Sequence, residues 1–131
     1  MAAVLDRRVI TSGVLNGLCW VIPGGIAEAV AHAHHKSGLV LLTFLFLLLG
    51  FAFCGYVTAR HPIDRPLQHA AVAAALTFAL VQVLDIALLL ARGHQVNLPG
   101  IVLTGLLATS AGVMGGLLAQ RGAGSSARLG R

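Results

Sequence analysis

The chain has 131 residues, of which 57% are hydrophobic and only 10% are charged, and its mean hydropathy is +0.89. A water-soluble domain carries roughly 25% charged residues, so this composition excludes a soluble globular protein and favours an integral membrane protein. The formal net charge is +5. The basic residues lie between apolar segments rather than in one patch, which excludes nucleic-acid binding and is typical of membrane topology signals.

Four apolar segments are each long enough to cross a membrane, which takes about 20 mostly apolar residues. The turn-forming sequences "HPIDRP" and "RGHQVNLPG" separate the second segment from the third and the third from the fourth. The predicted spans are residues 9–31, 38–59, 67–91 and 99–119. With connections this short, we expect an all-α, integral membrane protein that forms an antiparallel four-transmembrane-helix bundle over residues 1–121. Residues 122–131 are expected to be a disordered cytoplasmic tail.

The distribution of lysine and arginine predicts the orientation of the chain. Seven of these residues fall on one side of the predicted spans: Arg7, Arg8, Arg60, Arg65, Arg121, Arg128 and Arg131. Only Lys36 and Arg92 fall on the other side. Because basic residues accumulate in cytoplasmic loops, both termini are expected in the cytoplasm, and a bacterial inner membrane is the expected location.

Small residues spaced four apart predict where the helices pack closely. Lipid offers no hydrophobic driving force between helices, so association depends on close backbone approach and polar contacts. These residues pack helices within one chain or dock the chain onto a second copy or another protein. The candidates are Gly13, Gly17, Gly50, Cys54, Gly105, Gly112 and Gly116.

Ionisable and amide side chains inside a span are costly and are functional candidates by default. Helix three carries Asp85 with Gln82 three residues before it, and Gln68 about four turns earlier. We expect this polar stripe to face the bundle interior. Asn16, in helix one, is expected to form a hydrogen bond across to helix three.

The end of the first span is predicted to be kinked. Pro23 lacks the backbone donor of a regular helix, and Gly24 and Gly25 weaken the helix further. Broken helices in transporters expose backbone carbonyls to ions and substrates in this way.

Acidic and imidazole side chains follow the expected kink. Glu28, His32 and His35 share one face if the helix continues, and the chain direction places Asp85 and His94 on the same outer side. Three interpretations remain open. The cluster is a structural helix end, a proton or ion path with Asp85 as the titrating group, or a transition-metal site at His32, His35 and Glu28. An HExxH sequence is absent.

The predicted cytoplasmic turn carries Arg60, Asp64 and Arg65. The arginines are expected to reach anionic lipid head groups, with Asp64 paired to one of them.

A glycine-rich helix end, "FCGYVTAR", a short proline-containing loop and "LQHAAVAAAL" resemble a pattern in small four-helix bacterial membrane proteins without an established activity. The resemblance is specific only over residues 50–76, and it implies architecture but no catalytic residue. The "AE" at Ala27 and Glu28 is similar to one in small multidrug transporters, but their glutamate lies mid-helix and their aromatic cage residues are missing here. The Phe-Thr-Thr-Phe-Ser-type stretch of fluoride channels is also absent.

These observations predict a non-enzymatic accessory or assembly subunit of a larger inner-membrane complex, without a cofactor. Its partners would be the lipid bilayer and a protein or a second copy of the chain. The alternatives are a small oligomeric proton- or ion-coupled transporter or channel that uses Asp85 and Glu28, and an outer-face metal-binding protein.

Overall fold

Over the residues that the structure describes, the protein forms four long helices, as the sequence predicts. A computed structural model describes residues 5–34, 37–62 and 64–129. The helices are α1 (Arg7–Ala33), α2 (Ser37–Ala59), α3 (Pro66–Ala91) and α4 (Leu98–Leu129). Each of the four contains a segment that is long and apolar enough to cross a membrane. The prediction of an all-α protein with four potential membrane spans is confirmed.

Local sequence signals explain where the helices begin. The carboxylate of Asp6 accepts a hydrogen bond from the Arg8 backbone N–H (2.9 Å) and caps α1. Pro66 occupies the first turn of α3. A backbone N–H at this position would have no acceptor within the helix, so the proline costs no hydrogen bond. At the start of α4, Asn97 Oδ1 accepts a hydrogen bond from the Gly100 backbone N–H (3.2 Å).

Two sequence expectations concern the continuity of these helices. α1 continues through Pro23, Gly24 and Gly25 to Ala33, so the helix is not interrupted there, and the kink stays a prediction. Gly24 packs against Leu47 of α2, which stabilises this part of α1 through tertiary contact. α4 continues to Leu129, past residue 119, where the sequence predicts the fourth span to end.

α2 and α3 lie at the centre of the helix arrangement. α2 contacts the other three helices, α3 does the same, and over the described residues α1 and α4 do not contact each other. α1 and α4 therefore lie on opposite sides of the central pair. Each helix contacts the next one in sequence, as the short connections predict.

The interface between α2 and α4 is a direct contact between backbones. A Cβ atom added to Gly55 would overlap the carbonyl group of Gly112, and one added to Gly115 would overlap the carbonyl group of Ala52. Such close approach is the means by which membrane helices gain packing energy. α2 and α4 are therefore held at a separation that tolerates no side chain at these positions.

The glycines that the sequence singles out contact other helices of the same chain. Gly13 packs against Thr58. Gly17 packs against Cys54, whose Cβ would lie 3.0 Å from a Cβ atom added to Gly17. The remaining contacts are Gly50 with Val21, Gly105 with Phe78, Gly112 with Ala74, and Gly116 with Ala70. These surfaces are therefore occupied within the single chain.

A buried histidine joins the start of α1 to the start of α3. His69 is only 4% exposed, and its Nε2 accepts a hydrogen bond from the Asp6 backbone N–H (3.0 Å). Because Nε2 accepts, the neutral ring carries its proton on Nδ1, which donates to the Arg65 carbonyl (2.8 Å). One imidazole thus fixes two helix ends.

We expect His69→Leu to lower the free energy of unfolding by about 1–3 kcal/mol, since it leaves the Asp6 N–H without its acceptor. The measurement is helix loss during titration with a denaturing detergent. His61→Leu is the matched control, because His61 is exposed and its ring Nδ1 lies 3.1 Å from the carbonyl of Val57, four residues earlier in the chain. Equal destabilisation by the two variants would contradict the bridging role.

Candidate functional site

The most chemically distinctive cluster lies near the end of α1. Glu28 and His32 are one turn apart, and Glu28 Oε1 lies 3.9 Å from His32 Nε2. The Glu28 side chain is 26% exposed, whereas that of His32 is 65% exposed. The half-buried Glu28 carboxylate therefore has the more exposed His32 imidazole beside it. The two would form an ion pair when the imidazole is protonated.

α3 adds a second carboxylate and an amide to this cluster. Glu28 lies close enough to Asp85 for their negative charges to interact. Gln82 Nε2 donates a long hydrogen bond to Asp85 Oδ2 (3.5 Å). Glu28 and His32 thus form a pair within α1, and Gln82 and Asp85 form a pair within α3, with an electrostatic interaction between Glu28 and Asp85.

The polar stripe of α3 does not face the bundle interior. Asp85 and Gln68 are exposed, and Gln82 is half-buried. The inward face of α3 is formed instead by small residues, namely Ala70, Ala73, Ala74 and Thr77. These small side chains permit the close packing that stabilises membrane helices. The expectation of an inward stripe is wrong for this chain because the small residues occupy that face.

Asn16 also differs from expectation. Its Nδ2 donates to the Ser12 carbonyl of its own helix (2.8 Å) rather than across to α3. Gly13 and Gly17 occupy the side of α1 that contacts α2 and α3, which leaves Asn16 half-buried beside them. Asn16 therefore contributes to a local contact within α1.

The candidate metal site can be compared with the structure only in part, because His35 lies outside the described residues. Over residues 5–34, 37–62 and 64–129, no three His, Cys, Asp or Glu side chains form a group that could hold a metal ion. His34 and His94 are both exposed. The described part of the cluster is a Glu28–His32 pair beside Asp85.

Among the buried polar residues, sequence reasoning did not single out the threonines. Thr58 and Thr77 are fully buried, and each hydroxyl donates to the carbonyl four residues earlier, at 2.7 Å and 2.8 Å. Cys54 Sγ lies 3.6 Å from Thr77 Oγ1 and links α2 to α3. In the sequence, Thr77 follows Ala70, Ala73 and Ala74 at the spacing of one helix face, and this periodicity indicates that Thr77 is buried with them.

The arginine at the end of α2 has an aromatic contact. The guanidinium carbon of Arg60 lies 5.6 Å from the centroid of the Tyr56 ring, a distance typical of cation–π interaction. Over the described residues, Asp64 forms no ion pair with Arg60 or Arg65 within 4.0 Å, so the expected pairing is not found. Arg60 is exposed.

Comparison of the chain with protein-family models, with curated proteins and with solved structures found no match.

Proposed function

We propose that the protein is a four-pass protein of a bacterial inner membrane, with antiparallel helices and both termini in the cytoplasm. The order of the contacts supports this arrangement, since Gly13, Gly17 and Gly24 of α1 meet Thr58, Cys54 and Leu47 of α2 in reverse order. At one end, Asp6 contacts His69. The same end contains a cluster of Ala59, Ala70 and Ala119. Arg7, Arg8, Arg60, Arg65 and Arg121 belong to that end, which supports a cytoplasmic location for it.

Within this membrane we propose that the protein acts as an accessory or assembly subunit of a larger complex. The observation that carries the proposal is the outward position of Asp85, with Gln82 bonded to it. Asp85 lies six residues before Ala91, which is about 9 Å along the helix axis from the end of α3.

A carboxylate on the lipid face is unfavourable, with a cost of about 2.5–3.5 kcal/mol at the centre of a span and less toward its end. A cationic or hydrogen-bond-donating group of a partner helix would offset that cost. The glycines Gly112 and Gly116 contact α3 of the same chain. The outer face of α3 around Asp85, rather than a glycine face, is therefore the proposed contact with the partner.

Site-specific photo-crosslinking in native membranes tests this proposal. A photoreactive residue at position 88 lies one turn beyond Asp85 on the same face, where Leu88 is 49% exposed. The control is position 103, because Leu103 is 61% exposed on α4 and lies five residues from its start. We expect one discrete heterologous adduct from position 88 and none from position 103. Equal, diffuse labelling at both positions would contradict a specific partner.

The proximity of Glu28 to Asp85 supports one alternative, a small proton- or ion-coupled transporter. Two carboxylates with charges that interact, and an imidazole 3.9 Å from one of them, could exchange protons. Purified protein in liposomes would then conduct protons, and Asp85→Asn would abolish the flux. An adduct of twice the chain mass at position 88, together with this flux, favours the transporter over the accessory subunit.

A further inference from the structure

An aromatic groove lies along α2 and is lined by side chains of α1, α2 and α4. Its volume is about 360 Å³. The larger side chains that line it are Trp20, Phe46, Leu49, Phe53, Tyr56 and Leu118. The Trp20 ring lies 5.7 Å from that of Phe46 and 5.8 Å from that of Phe53. Three rings thus form a continuous apolar surface that remains partly exposed.

One end of this groove is cationic. Tyr56 lines the groove and lies under the guanidinium group of Arg60, 5.6 Å from ring centroid to Cζ. Arg121 lies three residues beyond Leu118 and therefore near the same face of α4. Within the described residues, no carboxylate lies within 4.0 Å of the Arg60 guanidinium. The groove therefore combines an apolar body with a positively charged end.

The length of the groove matches one leaflet of a bilayer. Phe46 and Tyr56 are ten residues apart on α2, which corresponds to about 15 Å along the helix. The hydrocarbon core of a bilayer is about 30 Å thick, so one leaflet accounts for about half of it. An acyl chain that runs along the groove would place its head group at the level of Arg60.

We propose that the groove binds an acyl chain of an anionic phospholipid whose phosphate pairs with Arg60. The positive charge of Arg60 at one end of the groove favours an anionic phospholipid over bulk zwitterionic lipid. The aromatic lining distinguishes the groove from the rest of the lipid-facing surface. The inference rests on the membrane insertion proposed above, but it is independent of the partner at Asp85.

Trp20 makes the proposal directly measurable, because it is the only tryptophan of the chain and lines the groove. The full chain is reconstituted into zwitterionic vesicles that contain a small, equal fraction of phospholipid with mid-chain bromines, either anionic or zwitterionic. Bromine quenches tryptophan fluorescence at contact. We expect the anionic lipid to associate with Trp20 about fivefold more strongly than the zwitterionic one, as one arginine at the membrane surface would provide.

Arg60→Gln should reduce this preference to nearly one, whereas Arg92→Gln, beyond the opposite end of α3, should leave it unchanged. Equal quenching by the two lipids in the unaltered chain, or an equal loss in both variants, would overturn the proposal. Absence of quenching by either lipid would also overturn it, because a protein segment would then cover the groove. Flotation of the vesicles separates these results from a failure of membrane insertion, since only an inserted chain floats with the lipid.

Discussion

Replacement of Gly55 by alanine should destabilise the bundle by about 2 kcal/mol or more. The added methyl group would overlap the Gly112 carbonyl, which is backbone and cannot move aside as a side chain does. Overpacking of this kind costs about 1–3 kcal/mol and occasionally more. Alanine is favoured over glycine in a helix by about 1 kcal/mol. Because the overlap is with backbone, the steric cost is expected at or above the upper end of that range, which leaves a net loss of about 2 kcal/mol after the gain in helix propensity.

Gly38→Ala provides a matched control on the same helix. A Cβ atom at Gly38 would have no neighbouring atom within 4 Å, so only the gain in helix propensity remains. Detergent-induced unfolding followed by circular dichroism compares the two variants. Similar stabilities for Gly55→Ala and Gly38→Ala would show that α2 and α4 do not touch through their backbones.

Asp85→Leu should abolish the crosslink from position 88 to the proposed partner, with at least a tenfold loss of adduct. Truncation of one member of a buried, hydrogen-bonded charge pair costs about 2–5 kcal/mol of binding energy, and 1.4 kcal/mol is already tenfold. The same substitution removes a lipid-facing carboxylate, so it should not destabilise the isolated chain. The two effects together separate a binding role from a folding role.

Gln68→Leu is the control for the Asp85 variant, because Gln68 is an exposed amide near the start of the same helix. It should leave the adduct unchanged. Asp85→Asn should give an intermediate yield, since the amide keeps a hydrogen-bonding group but loses the charge. Full adduct formation by Asp85→Leu would rule out the outer face of α3 around Asp85 as the contact with the partner.

The number of helices could be predicted from the sequence because apolar length and turn residues are local properties. The stretches around "HPIDRP" and "RGHQVNLPG" separate helices in the structure as well. The predicted first span, residues 9–31, already runs through Pro23, as α1 does. The contact of Gly24 with Leu47 of α2 could not be predicted, because it arises only when the helices assemble.

The candidate site, too, could be predicted from the sequence only in part. The approach of Glu28 and Asp85 follows from helix directions, which the sequence indicates. The outward position of Asp85 depends on which face of α3 packs inward, and small residues such as Ala73 and Ala74 determine that face. The polar residues of α3 are the more conspicuous signal in the sequence, although close backbone approach contributes more to packing in a membrane. The bridging role of His69 could not be predicted, because its partner is the backbone of Asp6, more than sixty residues away.

The central claim is a four-pass arrangement in which both chain ends share the cytoplasmic side. A dual reporter tests it most directly, with a fluorescent protein active only in the cytoplasm and a phosphatase active only outside it. Fused after Arg131, the reporter should be fluorescent and lack phosphatase activity, and inserted after Gly93 it should show the opposite pattern. Phosphatase activity after Arg131, or the same pattern at both positions, would contradict the account.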